Sequence, residues 1–167
     1  MLIRPADPRD ALAVAQVHVR SWQAAYQGLL PQSYLDQLRP EDRAARYDFA
    51  NTDPRAPQTL VAVDNGEIIG FATTMPSRDQ DLPDFGELCA LYVTPEHWSS
   101  GVGATLSAAA RAALSKLGFR DALLWVMTGN ERAERFYRRD GWTADGLKRT
   151  DTVWNVTVNE LRYRRQL

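Results

Sequence analysis

The sequence predicts a single α+β domain built on a mixed sheet, and three observations carry that prediction. Apolar residues recur at helical spacing early in the chain, as at Leu12, Ala15, Val19 and Trp22, and then give way to short β-rich runs. Asn65-Gly66, between two such runs, is the strongest short hairpin signal and demands antiparallel neighbours. A strand, a helix and another strand then follow one another over residues 87–127, a step that implies a parallel crossover. At 167 residues the chain has room for one full-sized core, and no repeat, low-complexity tract or linker divides it, so 1–167 is read as one domain.

Taken in order, Leu2–Arg4 is a short first strand. Asp7-Pro8-Arg9-Asp10 opens a helix, with Asp7 as N-cap and Pro8 at the first helical position; it ends near Tyr26-Gln27-Gly28. Pro31 opens a second helix carrying Tyr34, Leu35 and Leu38. Pro40-Glu41-Asp42 opens a third, expected to run through Tyr47 and Phe49, and Asn51–Gln58 is a loop. Thr59–Asp64 and Glu67–Thr74 are the hairpin strands. Pro76–Gly86, with Arg78, Asp79, Asp81 and Asp84, is a polar loop. Glu87–Val93 is the next strand, followed by a helix over 103–117 with Gly118 as its C-cap. Asp121–Met127 is an apolar strand. Asn130 caps a helix over Glu131–Asp140 that Gly141 ends, and Trp142–Arg149 and Val153–Arg162 close the sheet. The basic run Arg162-Tyr163-Arg164-Arg165 reads as a solvated chain end.

Composition removes several classes of function. A formal net charge of −1 gives no global reason to expect nucleic acid or an anionic membrane as partner. One cysteine, Cys89, excludes an internal disulfide or a CxxC zinc cluster and reads as a small core residue. No signal peptide or membrane-spanning apolar stretch is present, so a cytoplasmic location is expected.

The stretch that bears chemistry is 87–106. Ser99-Ser100-Gly101-Val102-Gly103-Ala104 brings small residues to a helix start, where unpaired N–H groups and about half a positive charge favour a phosphate. A dinucleotide fingerprint fails, because Leu106 stands three beyond Gly103; a Walker loop fails for want of Gly-Lys-Ser/Thr. One strand later, Ala133, Phe136 and Tyr137 share a helix face, while Glu131 with Arg135 and Glu134 with Arg138 are surface pairs.

Leu91-Tyr92-Val93, the turn 99–104 and Asn130 through Gly141-Trp142 closely resemble the GCN5-related N-acetyltransferases. The resemblance runs the length of the chain, taking in Ser21-Trp22, Tyr26 and Ile68-Ile69-Gly70-Phe71. It implies a mixed, mostly antiparallel central sheet of about seven strands with flanking helices and a splayed parallel pair at its centre. The family's pyrophosphate motif, Gln/Arg-x-x-Gly-x-Gly/Ala, is matched at Gly101 and Gly103, with Trp98 where Gln or Arg is usual.

The resemblance further implies acetyl-CoA as co-substrate and no metal. Pantetheine would lie along Leu91, Tyr92 and Val93 as an added strand. Pyrophosphate would sit on Ser99, Ser100, Gly101, Val102, Gly103 and Ala104, with Asn130, Ala133, Phe136 and Tyr137 completing the site. Tyr137 would be the general acid and Glu87 the base, with Asp79, Asp81 and Asp84 as possible substitutes. Trp22, Tyr26, Thr73 and Arg78 would form the acceptor pocket, and His18 and His97 would be surface residues. The function implied is direct acetyl transfer to a primary amine of a small molecule or peptide. The alternatives are a non-catalytic acyl-CoA-binding regulatory module and an aminoacyl-tRNA-directed acetyltransferase; a homodimer is left open.

Overall fold

Asn65 and Gly66 both adopt the left-handed region, with φ of 48° and 84°, and so make the tight turn between β2 (Gln58–Asp64) and β3 (Glu67–Pro76). The structure is a computed structural model describing residues 1–167. β1 (Leu2–Pro5) lies antiparallel on β2, and β4 (Gly86–Val93) lies antiparallel on the other edge of β3. β5 (Asp121–Met127), β6 (Thr143–Val153) and β7 (Val156–Gln166) complete seven strands in the order β1-β2-β3-β4-β5-β7-β6. Only β4 and β5 are parallel. The expected mixed sheet is present.

The remaining elements follow their local signals with three differences. Asp7 and Asp10 form a reciprocal capping box, but it closes a 3-10 turn, Pro8–Asp10, ahead of α1 (Ala11–Ala25). α2 (Gln32–Asp36) is followed by α3, which spans only Pro40–Ala44. Tyr47 and Phe49 lie beyond it, with ring centroids 4.9 Å apart, against a cluster that includes Val61 and Phe71. Burying these rings on the sheet outweighs one more helical turn.

The third difference is at the C-terminal end. β7 extends to Gln166, so the basic run is not a solvated tail: Arg162 is 5% exposed and Tyr163 fully buried. Strand alternation sends Tyr163 into the core and Arg162 to the opposite face. A second hairpin, with Trp154 and Asn155 both at positive φ (51° and 62°), joins β6 to β7 and carries no Asn-Gly signature.

α4 (Val102–Lys116) covers one face of the sheet, burying Leu106, Ala110 and Leu114 with Leu88, Leu124 and Val126. A Cβ on Gly86 would come within 2.7 Å of the Leu114 side chain, so glycine lets α4 settle where β4 meets β5. α1 covers the other face, setting Trp22 and Tyr26 against Met127 and Val158. His18 is buried there at 4% exposure, contrary to its expected surface position. Its ring stacks on Tyr92 at 4.6 Å, and its Nδ1 lies 2.9 Å from Tyr47 Oη and accepts from Arg43 Nε at 3.2 Å. No helix is long and apolar enough to cross a membrane.

Candidate active site

β4 and β5 pair at only two positions, Gly86 with Ala122 and Glu87 with Leu123. β4 then continues on β3 to Val93, and β5 continues on β7 to Met127. Past Glu87 the two central strands therefore part, leaving facing main-chain edges without a ladder partner. A cavity of about 1130 Å³ occupies this region and is lined by Leu91, Tyr92 and Val93 on one side and Trp125, Val126 and Met127 on the other.

The parted strand leads into the glycine turn. Ser99 and Gly101 both have positive φ (63° and 91°), and Gly101 precedes α4 without any side-chain cap. The first N–H groups of α4 thus lack both an intrahelical partner and a capping acceptor. Ser99, Gly101, Gly103 and Ala104 line the cavity. Ser100 turns away, its Oγ donating to His97 O at 2.5 Å, and the Val102 side chain enters the core, so those two can offer only main chain. Gly103 lies beside the Phe136 ring, which an added Cβ would touch at 3.4 Å, an ordinary contact.

α5 (Glu131–Arg139) forms the opposite wall. Asn130 caps it, its Oδ1 accepting from Ala133 N at 3.2 Å, which leaves its Nδ2 without a hydrogen bond within the chain. Ala133, Phe136 and Tyr137 all line the cavity. Burial first, then the neighbouring Tyr92 and Asp140, push the Tyr137 phenol well above the ordinary tyrosine value; Arg132 opposes them. Glu134 is not simply a surface partner of Arg138, for it also accepts from the buried Tyr163 hydroxyl at 2.7 Å.

The residues expected to form an acceptor pocket also line the cavity, together with Glu87. Trp22 and Tyr26 pack edge to face at 5.0 Å, and the Tyr26 and Tyr92 hydroxyls are 3.5 Å apart. The Trp22 indole N–H is buried without an acceptor from the chain. Thr73 lines the same cavity with its hydroxyl 2.8 Å from that of Thr59. Glu87 is 2% exposed and held by Arg78, whose Nη2 donates to Oε1 at 2.6 Å and whose Nε and backbone N donate to Oε2 at 3.2 Å.

Of the loop carboxylates, Asp79 is buried rather than superficial. It accepts from Trp125 Nε1 at 3.2 Å and Arg162 Nη1 at 2.9 Å, a structural role. Asp81 also pairs with Arg162, and Asp84 is exposed. His97 is partly covered, its Nδ1 2.8 Å from Thr94 Oγ1. Cys89 sits at the register shift of β4 on β3, where burial pushes its thiol up to about 12, no setting for a nucleophile.

Two cavity residues escaped the sequence reading. Glu160 lies opposite Met127 on β7, on the same strand face as the buried Val158. A carboxylate in register with an apolar strand face was the available signal. It receives one hydrogen bond, from Arg149 Nε to Oε1 at 2.9 Å, and burial raises its pKa above the usual glutamate value. Arg132, on the first turn of α5, lies over the Trp98 ring with Cζ 3.4 Å from its centroid. Nothing in the sequence joined those two.

A mixed seven-stranded sheet whose one parallel pair parts beside an uncapped helix start defines the N-acetyltransferase class of fold. The chain belongs to the acetyltransferase (GNAT) family, whose model matches residues 19–142, and it is an acyltransferase. It is 30% identical to the N-acetyltransferase YuaI of Bacillus subtilis over 129 residues, 77% of this chain and 72% of that one. It is 29% identical to the N-acetyltransferase Rv2669 of Mycobacterium tuberculosis over 140 residues, 83% of this chain and 86% of that one. Neither name gives an acceptor. The fold is also that of the PaiA N-acetyltransferase of Thermoplasma acidophilum in complex with coenzyme A, at a TM-score of 0.75, 22% identity and coverage of 99% and 98%.

Proposed function

We propose that the protein moves an acetyl group from acetyl-CoA directly to a primary amine of a small molecule or peptide. The observation that carries this reading is the single cavity that joins the parted β4/β5 edges, the uncapped start of α4 and Tyr137. These residues fit the co-substrate on physical grounds. The β5-facing edge of Leu88–Val93 can take an amide-bearing arm as a strand, and the α4 start can take pyrophosphate. Bound acetyl-CoA would supply an activated thioester.

The protein's own part is then to orient two reactants and move two protons. An alkyl ammonium, with a pKa of about 10.4, must lose a proton before its nitrogen can attack. The departing thiolate must gain one, and its thiol has a pKa of about 8.5. Tyr137 stays protonated at neutral pH because burial disfavours its phenolate. The same burial disfavours a thiolate beside it, so the difference in acidity between the two groups governs the transfer.

For the base, one observation favours Glu160 over Glu87. Glu87 has both oxygens committed to Arg78, whereas Glu160 carries one hydrogen bond, on Oε1, and lines the cavity along with Tyr26 and Tyr92. Its raised pKa also brings it nearer to a working pH than an ordinary carboxylate. Titratable groups at both ends of the gap speak for turnover against the non-catalytic module.

A panel of primary amines incubated with acetyl-CoA, with released thiol as the readout, tests this reading. It predicts amine-dependent CoA release. Tight acetyl-CoA binding with no release above buffer hydrolysis for any amine class would instead establish the non-catalytic module.

A further inference from the structure

The glycine turn has its backbone donors but lacks the side-chain donor usual at position 98. Trp98 cannot supply one, because its only polar group, Nε1–H, donates to Val93 O at 2.7 Å. That bond fixes the indole at the end of β4 as a platform. On it rests the Arg132 guanidinium, 3.4 Å from ring centroid to Cζ, reaching across from α5. Phe136, one turn after Arg132, lies beside Gly103, so α5 and the start of α4 pack closely here.

Two other cations near the turn are paired, and Arg139, which also lines the cavity without a partner, lies seven residues further along α5. Arg20 pairs with Glu96, and Arg135 with Glu131 at 3.4 Å. His97 is turned to Thr94. Arg132 has neither a carboxylate partner nor a hydrogen bond within the chain, and it lines the same cavity as Ser99, Gly101 and Gly103. An aromatic face holds a guanidinium by cation–π attraction while leaving its N–H edge free to donate.

We infer that Arg132, seated on Trp98, donates to the pyrophosphate of the acyl-CoA and replaces from α5 the motif side chain that position 98 has lost. This rests on the acyl-CoA reading above. Partial desolvation, which lowers the guanidinium pKa, is consistent with a cation whose counter-ion arrives with the ligand. The arrangement also brings a cation towards Tyr137, on which Arg132 acts to oppose the upward push of burial.

The test is calorimetric titration of the wild-type protein and of Arg132→Gln with CoA, 3′-dephospho-CoA and pantetheine, with thermal unfolding to confirm that the variant is folded. A charge-assisted hydrogen bond is worth about 1.5–3 kcal/mol, so CoA and 3′-dephospho-CoA should each weaken about tenfold or more. Pantetheine, which has no phosphate, should bind both proteins alike. Equal CoA affinity in the two proteins would overturn the inference and leave the acyl-CoA reading standing. Weakening confined to CoA would move the contact to the 3′-phosphate and overturn the pyrophosphate assignment. Weakening that includes pantetheine would make Arg132 merely structural. A wild-type protein that binds none of the three would overturn the acyl-CoA reading itself.

Discussion

Both carboxylate oxygens of Glu87 are held by Arg78, at 2.6 Å and 3.2 Å, at the last rung joining β4 to β5. This pair braces the vertex from which the two strands part. Glu87→Gln should therefore act on positioning, raising the acceptor KM more than it lowers kcat. Glu160→Gln should lower kcat by about 10²–10⁴ and remove the acid limb of the rate profile, where activity falls as pH drops through the raised Glu160 pKa. Arg149, Asp151 and Arg78 are the charges acting on that group. The opposite ranking of the two variants in a kcat/KM profile would return the base to Glu87.

Tyr137→Phe should leave CoA affinity within about twofold while reducing kcat by about 10²–10⁴, since only a proton donor is lost. Pre-steady-state thiol release compared with calorimetry separates the two effects. An unchanged kcat at every pH would remove Tyr137 as the acid.

His18 links stability to pH. Burial, then Arg43, holds its pKa well below the ordinary histidine value, so the folded state keeps it neutral while the unfolded state protonates near pH 6.5. Below that point the unfolded chain binds more protons, and stability is lost as pH falls, by up to about 1.4 kcal/mol per pH unit. Thermal unfolding at pH 7.5, 6.5 and 5.5 should show the loss, and His18→Phe should flatten it. Equal slopes in the two proteins would assign the dependence elsewhere.

Arg162, itself buried, is the hub of an ion cluster. Its guanidinium meets Asp79 at 2.9 Å, Asp81 at 2.8 Å and Asp145 at 2.8 Å, tying the loop after β3 to β6 and β7. Arg162→Ala would leave Asp79 and Asp145 buried without their cation and should cost about 3–5 kcal/mol. Urea unfolding measures this, and a loss under about 1 kcal/mol would show that Arg149 and Arg164 take over.

The elements that were legible in the sequence are those with local causes. Asn65-Gly66, the Asp7 cap, the Asn130 cap and Gly141 each act within a few residues, so spacing alone reveals them. The glycine turn and the Ala133-Phe136-Tyr137 face were visible for the same reason. Hidden were the groupings that only the sheet brings together. Arg162 and Asp79 are far apart in sequence, as are Arg132 and Trp98, and Glu160 reaches the cavity through its pairing with β5. His18 lay on an amphipathic helix as a polar residue, and nothing local showed that Tyr47 and Arg43 would receive its nitrogen. Trp154-Asn155 makes its hairpin turn without glycine because Asn tolerates positive φ and the paired strands impose it on Trp154.

In the function proposed above, acetyl-CoA occupies the gap between β4 and β5 as an added strand. Amide hydrogen exchange, with and without acetyl-CoA, reads this directly. New protection is expected at 88–93 and over the first turn of α4, with the distant β1–β2 edge unchanged. No protection there on binding, or protection confined to another face of the protein, would contradict it.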